Sequence, residues 1–243
     1  MPSRTLSRDA IKSIAMLTML LNHISTVFLS PDSLLGAVLL DIGYFTAVTM
    51  CYFLVEGYGY THSKRQYALR LALFAALSEV PYCLAFTEEG VLSFCGMNMI
   101  FTLFLCFLVL VVMERVHSRL WRELALLGLV LLSLISDWAL LAPIFTLLFY
   151  NARGDREKVK AAFVLSALFF GVISFAGGLD GGSLAVSALD ALGNMAGIAL
   201  AALVILRYYN GQRARRGRTF YKWFFYWFYP LHLLVLGLIR LAL

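Results

Sequence analysis

Charge is what this chain of 243 residues has least of. Only 14% of its residues are charged, against 61% hydrophobic and a mean hydropathy of +0.83. A soluble domain carries about a quarter charged residues, so too little polar surface is present to cover a globule in water. Proline is rare (5) and glycine modest (18), which excludes a collagen-like or low-complexity chain. The four cysteines (Cys51, Cys83, Cys95, Cys106) show no CxxC or Cys/His spacing, so no metal site is expected. Cys83 and Cys95 both fall near one outer loop, where they are either plain packing residues or a disulfide.

What is present is a succession of apolar runs. A hydrocarbon core of about 30 Å needs about 20 apolar residues per helix, fewer where neighbours shield the span. The runs predict an all-α integral membrane protein, a polytopic bundle of about nine transmembrane helices. They lie near 10–29, 35–57, 67–86, 98–114, 120–136, 138–150, 159–176, 186–207 and 220–242. No linker or charge block separates a second domain, so residues 1–243 read as one transmembrane domain. The basic, then apolar, N-terminus lacks a small-x-small cleavage site and reads as an uncleaved first span. The stretch from Leu120 to Tyr150 is long for one span and short for two. Asp137-Trp138 reads as a tight turn within it, and Pro143 disfavours one long helix.

The basic residues decide the split. With nine spans and a cytoplasmic N-terminus, nineteen of the twenty Lys and Arg fall on one side, leaving only Arg240 on the other. The outer loops instead hold Asp32, Glu88, Glu89 and Asp180, with Asp137 at a turn. Merging the two short spans would put NARGDREKVK outside, which the positive-inside rule disfavours. The expected topology is N-terminus in, C-terminus out, in a bacterial inner membrane. The net charge of +6 is then a signature of topology rather than of nucleic-acid binding.

An ionisable group at mid-membrane costs at least about 2.5–3.5 kcal/mol on insertion scales, so each such residue needs a reason. Lys12, Met16, Met19, His23 and Thr26 share one face of the first span. His23 lies about 16 Å beyond Lys12 along the axis, next to Asn22. Glu79 precedes Pro81 in the outer half of span three, Asn98 opens span four, and Asp137 sits at the outer turn. Tyr229 and His232 flank Pro230 in the last span. Five polar side chains from five segments thus share the outer half of the membrane, as a cavity or as a structural polar network. At the cytoplasmic end, Glu56 is placed to pair with Lys12, Arg65 or Arg70. The run RYYNGQRARRGRTFYK, ending at Lys222, is either an anchor to anionic membrane lipids or a phosphate-attracting patch. GGLDGGS reads as a mobile outer turn and KWFFYWFY as an interfacial aromatic belt.

Lys12-x-x-Ala15 followed by His23 resembles the first span of acyltransferase-3-type membrane enzymes. Across nearly its full length the chain is most similar to the TraX family, named for a membrane enzyme that N-acetylates F pilin. The matching pieces are KSIAMLTMLLNHI, FLVEGYGYTHSKRQYALRLALFAALSEVPY, NMIFTLF, DWALLAPIFTLLFY and KWFFYWFYPLHLLVLGLI. One departure stands at Asn22, where relatives carry aspartate before the histidine, leaving Glu79 or Asp137 as the carboxylate partner. The resemblance implies acetyl transfer from acetyl-CoA to an acceptor that lies across the membrane. The acceptor class stays open between a peptide amine, a sugar and a lipid-linked glycan. His23 then serves as general base or acyl carrier, and Asn98, Tyr229 or His232 as oxyanion donors. Lys12, Arg65, Arg70 and Lys222 hold the CoA phosphates. The rival class is a proton-coupled transporter relaying protons through intramembrane His, Glu and Asp. A non-enzymatic assembly or immunity factor is the third.

Overall fold

The computed structural model describes residues 5–30, 33–87, 93–179 and 183–243. The acidic loop residues Asp32, Glu88, Glu89 and Asp180, residues 180–182 of the GGLDGGS turn and Arg4 lie outside the described residues.

The described residues form nine α-helices, and each coincides with one expected span. They are α1 (Arg8–Phe28), α2 (Leu34–Tyr60), α3 (Lys64–Phe86), α4 (Met99–Arg115), α5 (Arg119–Leu132), α6 (Leu141–Asn151), α7 (Arg156–Gly178), α8 (Leu184–Tyr208) and α9 (Arg218–Ala242). Six of them, α1, α2, α3, α7, α8 and α9, are long and apolar enough to cross a membrane. The other three run 17, 14 and 11 residues. Leu165, Leu168, Val172, Leu189 and Leu203 on α7 and α8 are exposed, an apolar exterior suited to lipid.

Local chemistry sets the helix starts. Side chains of Ser7, Ser63, Asp155 and Ser183 accept from backbone N–H groups two or three residues on, meeting donors that the first turn leaves orphaned. Asn98 caps α4 doubly, accepting from Ile100 N and Phe101 N. Pro143 sits in the first turn of α6, where its missing N–H costs nothing. The two short helices expected around Asp137 are therefore present, separated by a 3₁₀ turn at Ser133–Ile135 and the loop 136–140.

Contacts sort the chain into two compact units. The first is drawn from Met1–Thr49 and Ala152–Phe225. A polar ladder joins α1 to α2 within it: Thr46 Oγ1 donates to Ala15 O at 2.7 Å, Asn22 Nδ2 to Leu40 O at 2.8 Å, and Ser25 Oγ to Gly36 O at 2.7 Å. The ladder fixes an antiparallel register. α2 breaks at Tyr44, between Leu34–Gly43 and Phe45–Tyr60, where α8 presses closest. A Cβ on Gly197 would lie 2.2 Å from Asp41 O, and one on Gly193 2.3 Å from Asp41 Oδ2. Gly193-x-x-x-Gly197 is thus a small-residue approach of the kind that brings membrane helices together. Leu6 is bridged to Tyr209 by Leu6 N–H to Tyr208 O (3.0 Å) and Asn210 N–H to Leu6 O (3.0 Å).

The second unit comprises Met50–Asn151 and Tyr226–Leu243. Phe74, Phe107, Phe145 and Phe149 are its largest fully buried rings. α9 is held to α3 by Arg240 Nη1 donating to Ala85 O at 2.9 Å. At Gly237 a Cβ would meet Leu84 Cγ at 2.8 Å. Isolated bridges are the only strand-like pairing among the described residues. In this unit Met97 N–H donates to Ile135 O (2.7 Å) and Asp137 N–H to Met97 O (2.8 Å), which pins the 136–140 loop beside the α4 cap.

Candidate functional site

The second unit gathers Glu79, Asn98, Asp137, Tyr229 and His232 around the start of α4. Glu79 on α3 and Asn98 at the start of α4 form a closed clasp. Glu79 Oε2 accepts from Asn98 Nδ2 (2.6 Å) and Asn98 N (3.2 Å). Asn98 Nδ2 also donates to Ala75 O at 2.8 Å, while Oδ1 accepts the two cap N–H groups. Both amide protons and the amide oxygen are therefore committed. Asn98, read from sequence as an oxyanion donor, is spent on structure here.

Tyr229 lies against that cap: its hydroxyl oxygen accepts the Met99 N–H at 3.2 Å. A hydroxyl that accepts from a helix N-terminus is strengthened as a donor. One turn along α9, His232 is buried, with Nδ1 2.7 Å from Phe228 O. A carbonyl only accepts, so Nδ1 carries the proton, and in the neutral ring Nε2 carries the lone pair. The Tyr229 and His232 rings meet edge to face at 5.7 Å.

Asp137 stands on the loop between α5 and α6, in a turn with two strained positions. Trp138 (φ 57°) and Leu140 (φ 61°) both adopt left-handed backbone, which bulky residues rarely occupy and which the surroundings must enforce. The enforcing contacts are Asp137 N–H to Met97 O, Thr102 Oγ1 to Asp137 O (2.5 Å) and Leu140 N–H to Ser133 Oγ (3.0 Å). Desolvation pushes the Asp137 carboxyl up to about 6, opposed by a hydrogen bond from the Trp138 backbone. Its charge is felt at Tyr82 on α3 and at Tyr229. Tyr82 is a site residue that sequence reading missed; three residues after Glu79 and next to Pro81, it shares the outer end of α3.

The first unit holds His23, buried on α1. Its neighbour Asn22 is engaged with the α2 backbone, so it does not replace the missing carboxylate. Two acids that sequence reading passed over, Asp41 on α2 and Asp190 on α8, lie close enough to repel. Their signal was available as single carboxylates inside apolar runs.

Of the charged residues expected to meet the cofactor, Lys12 and Lys222 belong to the first unit and Glu56, Arg65 and Arg70 to the second. Lys12 Nζ lies 4.3 Å from the Phe225 ring centroid and Lys222 Nζ 5.1 Å from that of Trp223. Glu56 is half-buried and Arg65 exposed in the first turn of α3. Arg70 is the most specific of the set. It hydrogen-bonds the Tyr226 side chain and lies over the Tyr67 ring at 5.6 Å, and its buried Nε finds no hydrogen-bond partner among the described residues. A guanidinium donor held out of water is what a phosphate or similar anionic acceptor satisfies. Nearby in chain order, Glu114 accepts from Tyr58 and Lys64, an ion-paired knot that sequence reading also missed.

Nine helices among the described residues, six of them long and apolar enough to span a bilayer, define a polytopic helical membrane protein. Residues 7–240 match the family model described as "TraX protein", and the chain belongs to the TraX family. It is 31% identical over 233 residues to a protein named "Probable fimbrial assembly protein FimC, serogroup H1" from Dichelobacter nodosus, covering 93% of this chain and 92% of the relative. No solved structure matches.

Proposed function

We propose that the protein is a multi-pass acetyltransferase of the bacterial cytoplasmic membrane, N-terminus inside and C-terminus outside. It moves an acetyl group from acetyl-CoA to an amine or hydroxyl acceptor in the outer half of the bilayer. The observation that carries this reading is the strained turn that holds Asp137, its carboxyl raised to about 6, within electrostatic reach of the Tyr229 hydroxyl. A base poised near the operating pH beside a polarised donor is the minimum equipment for acyl transfer. Membership of a family associated with pilin acetylation supports the reaction class. The relative's name, a fimbrial assembly protein, supports a fimbrial subunit as the source of the acceptor.

In the proposed step the Asp137 carboxylate takes the proton from the acceptor as its nitrogen or oxygen bonds to the acetyl carbonyl carbon. Tyr229 donates to the oxyanion that develops. Collapse breaks the carbon–sulfur bond, and CoA leaves as thiolate to collect a proton. Glu79 and Asn98 hold the α4 cap on which Tyr229 rests. Arg70 suits a CoA phosphate, with Arg65 adding positive charge and Glu56 setting the local balance. His232, with Nε2 basic, and His23 are the alternative bases.

The test uses purified full-length protein. Acetyl-CoA should raise its apparent melting temperature with concentration, and acetyl transfer to a fimbrial-subunit peptide should be lost in Asp137→Asn. Near-normal turnover in that variant, with loss in His23→Ala, moves the base to the first span. No shift with CoA or acetyl-CoA, together with solute-dependent proton flux in vesicles, overturns the enzyme in favour of a transporter.

A further inference from the structure

The second unit holds all four cysteines in two contacting pairs that differ in what reaches them. Cys51 on α2 and Cys106 on α4 are both fully buried. Cys51 Sγ donates to Ala142 O at 3.6 Å, and the two thiols hydrogen-bond each other. The other pair sits at the outer end of α3. Cys83 lies one turn before that helix ends, with its sulfur 3.9 Å from Glu79 Oε1. Cys95 is exposed in the segment leading to the α4 cap, three residues before Asn98, and its thiol hydrogen-bonds Cys83. The distribution of Lys and Arg assigns this end of α3 to the face away from the cytoplasm, where bacterial proteins meet an oxidising compartment.

We propose that Cys83 and Cys95 are joined by a disulfide, made by exchange with an exported protein disulfide. Cys95 is the sulfur that the donor reaches. Its thiolate attacks the donor's disulfide, forming a mixed disulfide and releasing one donor thiolate. Cys83 then gives up its proton and attacks Cys95 Sγ, expelling the donor's second thiolate. Two protons and two electrons pass from the cysteine pair to the donor, which leaves as a dithiol. The buried Cys51–Cys106 pair is closed to such a donor and stays reduced.

The link staples the end of α3 to the chain just before Asn98, reinforcing the clasp at Glu79. It is independent of the acetyltransferase reading, since its readout is covalent. Full-length protein is denatured directly from membranes in an alkylating reagent, with and without prior reductant, and mapped by peptide mass spectrometry. Without reductant, Cys51 and Cys106 alone should carry label, and a linked Cys83–Cys95 peptide should appear. With reductant all four should label. Reductant should also lower the melting temperature of the native protein and leave that of Cys95→Ser unmoved. Four labelled cysteines without reductant, or a bridge joining a different pair, overturn the proposal. Two labelled cysteines in cells lacking the exported donor overturn the exchange route.

Discussion

Glu79 and Asp137 are two carboxylates of one unit, and their surroundings are opposite in kind. Glu79 is fully occupied: one oxygen takes both donors of Asn98, the other lies toward Cys83. Its backbone is ordinary helix. Asp137 sits in a turn with two left-handed residues, and burial raises its carboxyl while the Trp138 backbone hydrogen bond opposes the rise. A satisfied carboxylate stabilises the ionised form and closes a structure. A desolvated one on a constrained backbone stores reactivity. Counting polar residues in a membrane span does not separate the two; following each hydrogen bond does.

The contrast breaks most visibly at Asp137. Asp137→Asn should lower turnover by about 100- to 10,000-fold, the range of a general base, while the protein still extracts and melts as a folded species. Radiolabelled acetyl transfer and thermal melting read the two quantities separately. Glu79→Ala should do the reverse in kind, destabilising by about 1–3 kcal/mol by orphaning the Asn98 amide and N–H. Glu79→Gln should recover part of that loss, and a variant that melts like the parent would dissolve the distinction between the two acids.

The pH dependence sharpens the same contrast. Asp137 titrates near 6 in the folded protein against 3.8 for the ordinary group, so the native state binds the extra proton between those values. Its contribution to stability is complete below the lower value and is lost as pH rises through about 6. Melting temperatures over this window should fall with pH more steeply in the parent than in Asp137→Asn. Transfer should instead rise through pH 6 as the carboxylate appears. The smallest effect belongs to Arg70→Lys, which keeps the charge but loses the planar donor set. It should raise the KM for acetyl-CoA by about tenfold with turnover little changed, measured by initial rates.

Apolar runs and the sidedness of Lys and Arg made the helices legible from sequence, including the pair around Asp137. Those runs report burial in lipid, which is a property of each segment alone. The break of α2 at Tyr44 was not legible, nor was the approach of Gly193 and Gly197 to that place from a helix 150 residues downstream. Glu79, Asn98, Asp137, Tyr229 and His232 were picked out as polar groups in apolar surroundings, and the structure brings them to one region of one unit. Their division of labour stayed hidden, since it depends on which hydrogen bonds are already taken. Tyr82 escaped notice because a tyrosine near a membrane boundary is ordinary. Asp41 and Asp190 were overlooked inside runs judged by their average hydropathy.

The first unit is discontinuous along the chain, and this bears on how the protein is made. Synthesis delivers α1 and α2 early, yet the glycines that receive Asp41 belong to α8, which leaves the ribosome only after the whole of Met50–Asn151. Until then a carboxylate waits among lipids or insertion machinery, protonated or at the interface, because an ionised acid in hydrocarbon is costly. The intervening helices have every opportunity to assemble first. Biogenesis therefore leaves both units open until the last helices emerge, since the first needs α8 and the second needs Tyr226–Leu243.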